Sequence, residues 1–168
     1  MEWQSSLEAI AEVSIAFAGF SAVIAIIRRA GAGAWLPQEI IGLWAMLGVS
    51  LGSLFFSLLP LPLYHLGISD PSLWTECSAS LAAYVLTFYV VALRAVSRHG
   101  SRRPRLTRVI NHFPLFISAL LICNALDIFI SRGVGAYLAA LVLLLLSGVY
   151  PLLVIVSFIE VQPPRGGE

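Results

Sequence analysis

Glu8 and Glu12 are the residues of this chain whose type and spacing most invite chemistry. Four residues apart, they stack on one face of a helix. Continued at the helical repeat, that face runs through Ala16, Gly19 and Val23, with Ser5 one turn earlier. Two carboxylates above a strip of small side chains can attract cations, exchange protons or meet another protein surface. A plainer reading also fits, because acids near a helix N-terminus suit the helix macrodipole. Cys123, Asn124 and Asp127 form a second polar cluster at helical spacing. His65, Asp70 and Glu76 share a loop region that could hold a cation but reads as a water-facing connection.

Other chemistries are excluded or unsupported. The ten basic residues are all arginine. Without lysine there is no Schiff-base amine and no phosphate-loop lysine. Cys77 and Cys123 stand in neither a redox pair nor a metal spacing, and His65, His99 and His112 are scattered. No nucleophile–base pair is recognisable. The sequence therefore predicts no metal, no cofactor and no enzyme activity. The start of the chain carries Glu2 and Glu8 instead of a basic stretch, so no cleaved signal peptide is expected.

The elements that would carry these residues follow from composition. The chain is 168 residues long, 59% hydrophobic and 11% charged, with a mean hydropathy of +0.91. A soluble domain is about half apolar and about a quarter charged. The expected fold is an all-α membrane protein: one transmembrane domain over 1–162 and a disordered tail over 163–168. Five apolar segments, at about 9–27, 39–63, 77–97, 109–130 and 134–159, reach the ~17–25 residues that a bilayer crossing needs. Apolar runs of this length cannot serve as lipid-facing strands. From Glu12 to Arg28 is about 24 Å of helix at ~1.5 Å per residue. With Arg28 at one membrane surface, Glu12 then lies just inside the other.

Arginine sets the orientation. Arg28, Arg29, the run from Arg94 to Arg108 and Arg165 fall on one side of a five-span chain, leaving only Arg132 on the other. That predicts an outer N-terminus and a cytoplasmic C-terminus. Arg98, Arg102, Arg103 and Arg105 would contact anionic lipid headgroups. No aromatic interleaving accompanies them, so nucleic acid is not an expected partner. Gly48 and Gly52 are four apart, a spacing that lets helices approach closely. Pro60 and Pro62 should break the second segment near its outer end, and Pro151 should kink the fifth. Glu39 reads as a routine placement near a helix N-terminus.

Glu12, Ala18-Gly19-Phe20-Ser21, Trp35 and Leu58-Leu59-Pro60 together resemble a group of small bacterial multi-pass membrane proteins. The resemblance covers the first two segments. It implies a bacterial inner (plasma) membrane and brings no activity with it. Function must come from the residues. They lead to a homo-oligomeric, cation-permeable channel or pore whose first helix lines the axis. Glu8 and Glu12 would form outer carboxylate rings, and Gly19 and Val23 a narrow middle. Expected partners are membrane lipids, further copies of the chain and monovalent or divalent cations. The alternatives are a non-conducting assembly or accessory subunit, or a small transporter or enzyme with an intramembrane polar site at Asn124 and Asp127.

Overall fold

The computed structural model describes residues 2–30, 37–68, 70–98, 112–128 and 133–160. Among them six α-helices form and no strand: α1 Glu2–Ala30, α2 Pro37–Leu58, α3 Pro60–His65, α4 Asp70–Arg98, α5 Phe113–Leu126 and α6 Val134–Glu160. Four stretches are long and apolar enough to cross a membrane: Trp3–Ile27, Glu39–His65, Ser72–Ser97 and Val134–Leu153. The fourth expected segment, 109–130, differs. Its helix has 14 residues, about 21 Å at ~1.5 Å per residue, well short of a ~30 Å hydrocarbon slab. It still runs the chain back along α4, because Asn124 at its end bonds Ser78 near the start of α4.

Helix ends follow local chemistry. α1 begins several residues before its apolar run, since nothing from Glu2 onward breaks a helix and Trp3 has a partner on each side. Its ring meets Tyr64 and Trp74 edge-on, at 5.9 and 5.4 Å between centroids. Pro60 and Pro62 lack the N–H groups that would continue α2 without interruption. The break is slight, and α3 follows directly after Leu59. α3 then stops at Gly67, whose φ of +83° suits glycine. The amides of Gly67 and Ile68 return to the carbonyls of Tyr64 and Leu63, a Schellman closure. Pro151 lies inside α6 without ending it.

α2 packs against α1, α4 and α6 and is the centre of the bundle. Its small side chains and its backbone carbonyls make that possible. Gly48 and Gly52 lie under the rings of Phe88 and Tyr84, and a methyl at either position would overlap those rings. The Tyr84 hydroxyl donates to the Gly48 carbonyl at 2.7 Å. Tyr137 of α6 is wholly buried, and its hydroxyl donates to the Phe56 carbonyl at 2.6 Å. Ser50, Ser53 and Ser57 bury a further face. The main core gathers Leu73, Leu81, Val85, Ile117, Leu121 and Leu141 around these contacts.

Gly48→Ala is expected to destabilise the chain by about 1–3 kcal/mol through overpacking against Phe88. Tyr137→Phe should cost about 0.5–1.5 kcal/mol, the worth of one buried hydrogen bond. Thermal unfolding followed by helical circular dichroism measures both. An unchanged midpoint in Gly48→Ala would show that the Phe88 ring does not sit tightly on this face.

Candidate functional site

α1 has two unlike faces. Leu7, Ile10, Ala11, Ser14, Ser21 and Ile24 point into the bundle and are buried. Glu8, Glu12, Ala16, Gly19 and Val23 lie on the other side and are exposed. A methyl on Gly19 would meet nothing within 4 Å. The stripe is therefore directed away from the chain's own core. It is flanked by bulky apolar residues, among them Ile15, Phe20 and Ile26, all more than half exposed. Large apolar side chains thus border a strip that is acidic at one end and small or β-branched along the rest.

The buried face of α1 meets α2 across hydroxyls. Met46 packs with Ile24 and Phe17, so this face of α2 looks at α1. Ser50, Ser53 and Ser57 continue the same face at helical spacing. Ser14 donates to Ile10 O at 2.7 Å, Ser21 to Phe17 O at 2.8 Å and Ser50 to Met46 O at 2.8 Å. Ser57 donates to Leu54 O at 2.8 Å. Each of these bonds stays within one helix. The Ser53 Oγ is buried and has no partner. Ser50, Ser53 and Ser57 carry a helical period that is the seam's signal in the sequence. Glu39 lies in the first turn of α2, where the sequence puts it, and is 1% exposed.

The second polar cluster does not form one site. Asn124 is buried, and its Nδ2 donates to Ser78 Oγ at 2.9 Å and to Gly133 O at 3.4 Å. Its Oδ1 accepts from the Gly133 amide at 3.2 Å. The side chain thus ties the end of α5 to α4 and to the entry of α6. Asp127 is exposed in the left-handed conformation, φ 59°, just beyond the last residue of α5. The Ile128 amide returns to Cys123 O at 3.0 Å and closes the helix there. The expected helical face shared by Asn124 and Asp127 is therefore broken by the turn. A short polar side chain tolerates this conformation better than most.

Arg98 is the last residue of α4. Arg102, Arg103 and Arg105 lie outside the described residues. Among the described residues no three His, Cys, Asp or Glu side chains gather as a metal set. Cys77 and Cys123 are free thiols. No protein-family model, curated protein or solved structure matches this chain.

Two substitutions contrast the end of α5 with the outward stripe of α1. Asn124→Ala leaves buried partners unpaired and should cost about 1–3 kcal/mol. Gly19→Ala in an isolated chain should be neutral or stabilising by up to about 1 kcal/mol, because it gains helix propensity in open space. Thermal unfolding of both variants checks the contrast. Equal losses would mean that Gly19 also sits against something.

Proposed function

We propose that this chain is a multi-pass protein of a bacterial inner membrane that assembles into homo-oligomers and conducts cations along an axis lined by α1. One observation carries the reading: Glu8 and Glu12 are exposed on the outward side of a helix long and apolar enough to cross a membrane. Ionisable groups are expensive in hydrocarbon and in spanning helices face water or other protein. The core of the single chain does not supply that environment, since it lies on the opposite side of α1. Several copies around an axis would supply it, and closed cyclic assemblies are the common way for identical chains to do so.

In this assembly the carboxylates ring the outer mouth and raise the local cation concentration. Ala16 leaves room for a conduit, and Gly19 and Val23 form its narrow middle, an apolar level that can gate by dewetting. Arginine asymmetry supports an outer N-terminus, and the return of the chain along α4 supports five crossings even though α5 is short. The arginine run after α4 would hold anionic headgroups on the cytoplasmic side.

Planar-bilayer recording of the purified protein tests the reading. Wild type should pass current with a reversal potential displaced toward the cation value in a salt gradient. Glu12→Gln should lower cation preference, and Gly19→Leu should cut conductance several-fold by filling the narrow level. Folded wild-type oligomers that stay silent across voltage, pH and tension would defeat conduction. Selectivity unchanged in Glu12→Gln would remove Glu12 from the conduit.

A further inference from the structure

We infer that the groove between α1 and α6 seats one acyl chain of a membrane lipid whose headgroup carries an ammonium, of the phosphatidylethanolamine type. The inference rests on the membrane reading above but not on the ring, because the groove belongs to a single chain. It has a volume of about 290 Å³ and is walled by Ala9, Val13 and Phe17 of α1 and by Val142, Leu146 and Val149 of α6. These positions recur every three or four residues, so the groove runs lengthwise between two helices.

Shape and chemistry select a chain-like apolar occupant. From Ala9 to Phe17 is about 12 Å at ~1.5 Å per residue. Every wall side chain is apolar, so water would find no hydrogen-bond partner there. Val13, Val142 and Leu146 are roughly half exposed, and the groove therefore opens sideways, where a lipid tail can enter.

Charge selects the headgroup. Glu12 stands three residues after Ala9 and is its neighbour on the helix surface. Glu8 lies one turn farther out, and both carboxylates are exposed. The ring contacts of Trp3 with Tyr64 and Trp74 put Glu76, just after Trp74 on α4, at this same end of the bundle. Among the described residues no arginine joins them. An anionic headgroup would be repelled at this rim, whereas an ammonium is complementary to it.

Native mass spectrometry of the purified protein, released from detergent after incubation with equal phosphatidylethanolamine and phosphatidylglycerol, decides the matter. One phosphatidylethanolamine per chain should remain, favoured over phosphatidylglycerol by roughly threefold to tenfold. The double variant Glu8→Gln/Glu12→Gln should keep a lipid but lose the preference. Val13→Trp fills the groove and should lose the lipid while keeping wild-type helicity. If Val13→Trp fails to fold, Leu146→Trp on the facing wall decides alone, since Leu146 is 57% exposed and tolerates bulk. Equal retention of the two lipids in wild type, or lipid retained in the folded tryptophan variant, overturns the inference. A tryptophan variant that changes oligomeric mass while keeping its lipid would assign the groove to a second copy and overturn it as well. Protein that stays dispersed without detergent and carries no lipid of either kind sinks the membrane reading itself, a result distinct from equal retention.

Discussion

The approach of two aromatic rings to the glycine face of α2 is the contact on which the rest of the bundle depends. Phe88 and Tyr84 occupy the space that side chains at 48 and 52 would need. This brings α4 close enough for the Tyr84 hydroxyl to reach the Gly48 carbonyl, a group already engaged in helix formation. Tyr137 repeats the device from α6 at Phe56. Carbonyl oxygens have two lone pairs, so a helix can accept such bonds without losing its own. The result is a central helix held on two sides by hydroxyls that would otherwise be buried without partners. The partial stack of Tyr84 and Phe88, 6.0 Å between centroids, keeps both rings in register with the glycines.

Much of this was legible in the sequence, and the failures have physical causes. Long apolar runs fixed the four long helices because burial and lipid make the same demand on composition. The Gly48/Gly52 spacing announced close packing. It did not announce that rings would fill the gap, since small-residue spacing specifies room and not its occupant. Asp127 read as part of a helical face because a left-handed residue other than glycine leaves little trace in hydropathy. Asn124 read as a candidate site because a polar residue in an apolar run looks the same whether it serves chemistry or ties three chain segments together. The outward direction of the α1 stripe was the reverse case: the period alone put Glu8, Glu12, Gly19 and Val23 on one side, and the buried set opposite them settled which way that side points.

The two faces of α1 also differ in how they hold their polar groups. On the inner face Ser14 and Ser21 satisfy themselves on carbonyls of their own helix, as Ser50 and Ser57 do on α2. A hydroxyl bonded within its own helix presents a small, nearly apolar surface to its neighbour. Helices so treated can pack closely without a directional bond between those serines, in contrast to the tyrosine-to-carbonyl bonds that fix α4 and α6 to α2. Ser53 departs from the pattern, with its hydroxyl buried and unpartnered at the centre of the row. Such a group costs free energy comparable to a lost hydrogen bond and raises the energy of this packing relative to one that would satisfy it.

Polar groups elsewhere in the bundle are spent on holding it together. Asn124 is consumed by Ser78 and Gly133, Tyr84 and Tyr137 by backbone carbonyls, and Asp127 stands at a helix terminus. The carboxylates of Glu8 and Glu12 are different because the fold directs them away from every one of these contacts. A helix whose only task was to cover the core would bear large apolar side chains on its outer face, as Ile15, Phe20 and Ile26 do on either side of the stripe. The strip between them instead combines charge, small volume and open space around Gly19. Those properties serve none of the contacts that hold the bundle, and the fold presents them outward.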